Sequence, residues 1–222
     1  MKAVILAGGQ GTRLKPITDY IPKPLIPINN TPILEWQIRY LKKFGINDII
    51  ICTGYKTDQI ENFLNKKDLG VKVRFSIEKT PLGTGGALKK IAPLIKEKSF
   101  LVYNGDTITN INLKKMLAKT NSIAAIELRT KFGIIETADG KVKKFIEKKE
   151  IANVWMNAGI YHLDKKILKD LPIKGNIEST TFPKYARSGK LNFIKFKNVK
   201  WYSIDSYKDI EDCSKEVEKI IK

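Results

Sequence analysis

The chain has 222 residues, 42% of them hydrophobic, enough to bury one sizeable core, and none of its apolar runs reaches the ~18 residues needed to cross a bilayer. Its two cysteines, Cys52 and Cys213, stand far apart without a CxxC pair, and His162 is the single histidine; this argues against a zinc site and suits a reducing, cytoplasmic setting. The net charge of +18 favours anionic partners, but the lysines are spread over nearly every segment, without an aromatic-interleaved stripe or a nucleic-acid motif, so neither a nucleic acid nor a membrane is expected as a partner.

In chain order, KAVILAG reads as a buried strand rather than a signal peptide, followed by a long loop from Gly8 to about Thr31. PILEWQIRYLKKFG is a predicted helix with Thr31 as N-cap, Pro32 at its first position and Gly45 at its end. NDIIICTG, TDQIENFLNKK, VKVRFSIE, GGALKKIAPLIK and SFLVYNGD then alternate strand and helix. That order predicts an α/β fold of three layers: a Rossmann-like, doubly wound, mostly parallel mixed sheet covered by helices on both faces.

The second half changes character. SIAAIELRT, FGIIETADGKVKKFIEK and VWMNAGIYHLD read as strands, with Asp139-Gly140 as a hairpin turn, and this block either extends the sheet or forms a lid beside it. STTFPKYARSG and SYKDIEDCSKEVEKIIK read as helices, the last capped by Ser206. The expected organisation is a single domain over 1–222, with a nucleotide-binding half (1–110), an acceptor half (111–222) and no C-terminal β-helix domain.

LAGGQGTRL follows the first strand directly. Its glycines let backbone N–H groups approach phosphate oxygens, and Arg13 supplies a bidentate fork, although a tight structural turn would use the same residues. The longer string LAGGQGTRLKPITDYIPKPL resembles the signature of the sugar-phosphate nucleotidyltransferases, with Arg13 and Lys23 at its two cationic positions. EKTPLGTGGAL is similar to the family's nucleobase loop, in wording nearest the guanylyltransferases for mannose or heptose phosphates. The resemblance implies that Leu6, Ala7, Gly8, Gly9, Gly11, Thr12, Arg13 and Lys23 hold a triphosphate, and that Glu78, Pro81, Gly83, Thr84 and Gly85 meet the base.

LVYNGDTI resembles the family's metal-binding strand end, which implies that Asp106 carries Mg²⁺, or Mn²⁺ in its place. A second ligand in the family lies near the C-terminus, here Asp205 in WYSIDSYKDIED, where Ser206 and Tyr207 stand in place of the usual glycine; capping of the last helix is the other reading of Asp205. Gly133, Glu147, Lys148, Asn157, Gly159 and Glu178 match the family's sugar-phosphate side in order, with EKK replacing the usual EKP. Tyr55 is read as lining the cleft or packing in the core, His162 as a satisfied structural residue, and Trp36, Trp155 and Trp201 as packing.

The resemblance covers nearly the whole chain. It implies an enzyme that couples a nucleoside triphosphate, with GTP favoured, to a sugar 1-phosphate of mannose or heptose type, giving an NDP-sugar and pyrophosphate, with Arg13, Lys23 and Asp106 catalytic. The alternatives are a CTP-dependent cytidylyltransferase acting on a non-sugar phosphate and an inactive regulatory nucleotide-sugar-binding module. A homodimer is left open.

Overall fold

The computed structural model describes residues 1–130, 132–147 and 150–221. β1 (Lys2–Ala7) is buried along almost its whole length. The segment expected as loop holds two 3-10 turns, at Thr12–Leu14 and Lys23–Leu25, a one-turn helix α1 (Ile17–Tyr20), and the two-residue strands β2 (Pro27–Ile28) and β3 (Thr31–Pro32). Thr31 pairs with Ile28 instead of capping the next helix, and Pro32, still extended, is the residue that precedes α2 (Ile33–Lys43).

β4 (Asp48–Thr53), α3 (Thr57–Asn65), β5 (Lys72–Ile77), α4 (Gly83–Lys90) and β6 (Ser99–Asn104) then alternate as expected. α4 is shorter than its apolar pattern suggests. Pro93 brings no N–H, and a 3-10 turn at Ala92–Leu94 takes over.

The second half contains β7 (Thr107–Thr109), α5 (Leu113–Met116), β8 (Ser122–Arg129), β9 (Ile134–Ala138), β10 (Lys141–Ile146) and β11 (Glu150–Asp164). It closes with α6 (Thr181–Arg187), β12 (Asn192–Phe196), β13 (Trp201–Ser203), α7 (Tyr207–Ser214) and α8 (Val217–Ile221). Ser206 caps α7 by accepting from the Asp209 N–H, but the long final helix of the sequence reading is two helices.

The central sheet has seven strands in the order β12-β8-β11-β6-β1-β4-β5, all in one direction except β11, which runs antiparallel to both its neighbours. The block extends the sheet through β8 and β11, joined by the unexpected β12, while β9 and β10 pair as a hairpin outside the central sheet.

Alternate residues of the strands feed opposite faces, which is why runs such as AVIL and IIIC are apolar throughout. Ile5 and Ile51 pack with Leu34, Ile38 and Ile60 of α2 and α3. Val4, Ile50 and Cys52 pack with Leu88 of α4 and Phe182 of α6 on the other side.

β4 and β5 lie to one side of β1 and β6 to the other. The order therefore reverses at β1, and a crevice opens beyond the carboxyl ends of β1, β4 and β6.

α4 approaches the 172–176 loop closely through its glycines. A Cβ on Gly86 would stand 2.6 Å from the Ile173 carbonyl oxygen and 2.9 Å from Leu82 Cβ. Alanine in a helix normally gains about 0.5–1 kcal/mol over glycine. Here the crowding should cost about 1–3 kcal/mol and reverse the sign, so Gly86→Ala is expected to lower the urea midpoint of unfolding.

Candidate active site

Three local devices bring the site together. The glycine loop leaves the end of β1 and is braced from outside: the Tyr55 hydroxyl donates to the Thr18 carbonyl at 2.8 Å, and the Thr18 hydroxyl donates to the Gly11 carbonyl at 3.0 Å. Tyr55 therefore supports the loop and is not among the residues lining the cleft.

The second device is the turn after β6. The Gly105 N–H donates to the Leu6 carbonyl at 2.9 Å, and a Cβ on Gly105 would lie 2.4 Å from that oxygen, so only glycine lets the turn come this close to β1. From beneath, the buried Gln37 amide donates to the Asn104 and Thr107 carbonyls at 2.9 and 2.8 Å. Asp106 is carried between those two carbonyls.

The third device is the antiparallel pairing of β13 with β7, which sets Ser203 against Thr107 and Trp201 against Thr109. The Ile204 N–H then donates to the Asp106 carbonyl at 3.0 Å, and Asp205 arrives beside Asp106.

Lys23 lies between these two aspartates. Its Nζ is 2.8 Å from Asp106 Oδ2 and 2.8 Å from Asp205 Oδ1, and its side chain is only 12% exposed. Arg13, 72% exposed, reaches the same Asp205 oxygen at 2.8 Å, and the Ser203 hydroxyl donates to Asp205 Oδ2 at 2.8 Å. Burial raises the Asp205 pKa, but the hydrogen bond and charge of Lys23, the Ser203 hydroxyl and the charge of Arg13 outweigh it and hold the carboxyl below its ordinary value. An acid lowered in this way adds stability that is present in full above the ordinary carboxyl pKa and is lost as the pH falls through the lowered one.

The donor set fits a hard cation in the manner of Mg²⁺, which takes one or two carboxylates and completes its shell with phosphate oxygens and water. The space between the two carboxylates already accommodates a positive charge, that of Lys23. Among the described residues no group of three or more His, Cys, Asp or Glu side chains could hold a metal by itself.

The cleft around this cluster has a volume of about 380 Å³. Of the residues read from the sequence, Leu6, Ala7, Gly8, Gly9, Gly11, Thr12, Arg13, Lys23, Glu78, Pro81, Gly83, Thr84, Asp106 and Asp205 line it. Gly85 does not. Its N–H donates to the Gly175 carbonyl at 2.9 Å, so its smallness serves the packing of α4 on the 172–176 loop.

The N–H groups of Leu82, Thr84 and Gly86 are also used within the chain, by Glu78 Oε2, Asn176 Oδ1 and the Gly175 carbonyl. Asn104 and Asn176 line the cleft and were not singled out, although Asn104 lies inside the LVYNGDTI string two residues before Asp106; Asn104 Oδ1 is buried without a partner.

The described acceptor-side residues are not among those lining this cleft. Gly133 and Glu147 meet at the base of the β9–β10 hairpin, a Cβ on Gly133 falling 3.1 Å from Glu147 Oε2. Asn157 and Gly159 lie on β11, the Gly159 N–H donating to Asn157 Oδ1 at 2.8 Å. Glu178 spends both carboxylate oxygens inside the protein, accepting from Thr84 Oγ1 at 2.5 Å and from the Tyr161 hydroxyl at 3.0 Å. Lys148 lies outside the described residues.

His162 is buried, with Nδ1 at 3.0 Å from the Lys119 carbonyl and Nε2 at 2.9 Å from Ser99 Oγ, the satisfied structural residue expected. The indole N–H groups of Trp36 and Trp201 donate to the Ile28 and Ala158 carbonyls. Cys52 and Cys213 are buried and free, and among the described residues no helix is long and apolar enough to cross a membrane.

A glycine loop at the switch point of a parallel sheet, facing two cations and two carboxylates, defines the class of enzymes that transfer phosphate-containing groups from nucleotides. Comparison with known proteins narrows that class. The family model for nucleotidyl transferase matches residues 2–220, and on this match the chain belongs to the nucleotidyl transferase family.

The chain is similar to D-glycero-alpha-D-manno-heptose 1-phosphate guanylyltransferase of Campylobacter jejuni, 38% identical over 202 residues that cover 89% of this chain and 88% of that protein. It is also similar to the catalytic subunit beta of mannose-1-phosphate guanylyltransferase from Xenopus tropicalis, 33% identical over 94% of this chain but only 62% of that longer relative. Among solved structures, HddC from Yersinia pseudotuberculosis complexed with GMP-PN superimposes with a TM-score of 0.76 at 32% identity, covering 97% of this chain and 98% of that one.

The aspartate cluster makes a direct prediction. Lys23→Met removes two of the influences that hold Asp205 low, so the Asp205 carboxyl should titrate at a higher pH than in the parent, read by carboxyl-carbon NMR. An unchanged titration would show that the ion pair does not form in solution.

Proposed function

We propose that this enzyme joins GTP to a sugar 1-phosphate of mannose or heptose type, releasing pyrophosphate, with Arg13, Lys23 and Asp106 as its catalytic residues. The observation that carries the reading is the position of Lys23, with its ammonium 2.8 Å from each of two carboxylates at the mouth of the glycine loop. A phosphate monoester is ionised at neutral pH, so its oxygen attacks the α-phosphorus without a general base. The bond from that oxygen to the α-phosphorus forms as the bond to the bridging β-oxygen breaks, and pyrophosphate leaves on the side of Gly8 to Arg13.

Lys23 and Arg13 exchange their carboxylate partners for phosphate oxygens and stabilise the charge that grows during displacement. Asp106 and Asp205 would hold Mg²⁺, or Mn²⁺, whose charge neutralises phosphate oxygens when bound. Gly133, Glu147, Lys148, Asn157 and Gly159 are the groups assigned to the acceptor, with Lys148 for its phosphate and the carboxylate and amide for its hydroxyls.

Guanine is favoured by the chemistry of its loop as well as by the relatives, which are named guanylyltransferases. Guanine presents N–H donors at N1 and N2, and the N–H groups of Leu82, Thr84, Gly85 and Gly86 are already committed. Beside these committed groups the loop offers acceptors, first of all the Glu78 carboxylate at the cleft wall.

Pyrophosphate release with Mg²⁺, assayed for the five common triphosphates against mannose, heptose and glucose 1-phosphates, should be greatest with GTP and require a sugar phosphate. Lys23→Ala should lower kcat by about 10² to 10³. Near-normal turnover in that variant would remove Lys23 from the mechanism. Glu78→Gln, which replaces one acceptor oxygen by a donor, should reduce the preference for GTP over ATP by about tenfold or more, with competition assays as the readout.

A further inference from the structure

The two sides of the site are joined by a chain of hydrogen bonds that runs through the protein rather than through the cleft. On the base side, Thr84 Oγ1 donates to Glu178 Oε2 at 2.5 Å and accepts from the Ile177 N–H at 3.0 Å. Glu178 Oε1 accepts from the Tyr161 hydroxyl at 3.0 Å, and that hydroxyl accepts from Asn157 Nδ2 at 2.8 Å. Asn157 Oδ1 in turn accepts from the Gly159 N–H.

The polarity of the chain is fixed throughout. An ionised carboxylate can only accept, so both hydroxyls must donate to Glu178, and the Tyr161 oxygen is then free to accept from Asn157. With its nitrogen held by Tyr161 and its oxygen by Gly159, the Asn157 amide has one orientation, and its remaining N–H and lone pair are presented outward from an exposed position on β11. Burial, followed by the Glu178 charge, pushes the Tyr161 hydroxyl well above its ordinary pKa, so it remains a donor throughout the working range. Its ring is fully buried and stacked edge-on against Phe182 at 5.0 Å, which fixes where the hydroxyl can point.

We infer that Tyr161 and Glu178 are positioning residues, and that they transmit the state of the base loop at Thr84 to the acceptor-binding amide of Asn157. This rests on the proposed function, in which Thr84 faces the nucleotide and Asn157 the sugar. Its consequence is that the two substrates are coupled. Ordering of the PLGTGGAL loop by the nucleotide fixes Thr84, hence Glu178, hence the orientation of the amide that the sugar meets, and a sugar hydroxyl finds its partner already turned toward it.

The test is a KM comparison on the intact enzyme. Tyr161→Phe keeps the ring and its packing while deleting the link, and should raise the KM for the sugar phosphate by about tenfold at saturating triphosphate, the scale of a lost hydrogen bond to a charged network, while the Kd for the triphosphate measured without sugar phosphate stays within about twofold. Thr84→Val cuts the other end. It should also raise the sugar-phosphate KM, although Thr84 lies on the base side, and the double variant should be no worse for the sugar than the worse single one.

A Tyr161→Phe enzyme with the parental sugar-phosphate KM would overturn the coupling. So would a double variant whose effects multiply, or a loss of melting temperature with a triphosphate Kd, measured without sugar phosphate, that rises as much as the sugar-phosphate KM. If Tyr161→Phe does not fold, the sugar-phosphate KM of Thr84→Val decides. Absence of pyrophosphate release from the unaltered enzyme would defeat the parent reading and the coupling with it, whereas release with indifferent variants defeats the coupling alone.

Discussion

One ammonium group between two carboxylates is the interaction on which the site depends. Asp106 and Asp205 come from chain positions 83 and 182 residues distant from Lys23, and without a cation between them they would face each other as like charges in a partly buried cleft. The backbone forces them into company: β13 pairs with β7 in a register that leaves no other place for Asp205. A positive charge must therefore be supplied, and Lys23 supplies it from a 3-10 turn that follows Pro22. In the proposed function the same geometry would serve a substrate that brings its own phosphates and an associated cation, since both carboxylates and both cations would then find new partners.

The opposite edge of the sheet shows how the protein treats charges that have no such task. At the amino ends of β1 and β4, Lys2 is buried and closed off by Glu97 at 2.7 Å and Asp48 at 3.4 Å, while Arg74 adds two bonds to Asp48. Burial raises both acids, but their hydrogen bonds and neighbouring cations leave each below its ordinary pKa. Both edges carry lysines between pairs of acids. They differ in access: Lys2 meets only the protein, whereas Lys23 lies at the wall of a cleft that a nucleotide can enter. Since all strands but β11 point one way, the glycine loop, the Gly105 turn and the end of β4 emerge together on the edge that stays open.

The regular first half was legible because both of its signals are local. Apolar runs of strand length alternate with helix-period segments, and the phosphate loop and base loop are continuous strings. Among the elements that escaped, β7, β12 and β13 are three to five residues long and carry no full period. Their meaning lies in pairing, which is not local, and the placement of Asp205 depends on one of them. Thr31 misled for a related reason: a threonine before a proline looks like a cap, and only the partner strand at Pro27–Ile28 turns it into part of a bridge. Asn104 and Tyr161 lie inside strings that were read and Gln37 inside a helix, yet none was singled out, because each acts through a contact that only the fold creates.

The base loop shows most plainly why a motif can mark a place without stating what it does there. PLGTGGAL reads as a run of backbone groups placed against a base edge, and the structure uses the N–H groups of Thr84, Gly85 and Gly86 to hold α4 against the 172–176 loop, while that of Leu82 goes to Glu78. With those four committed, the proposed preference for guanine rests on acceptors, the Glu78 carboxylate first, because guanine is the base whose pairing edge carries N–H at both N1 and N2. The glycines thus act one step removed from recognition. They allow the close packing that commits those donors, and in the proposed function the acceptors beside them are what guanine would meet.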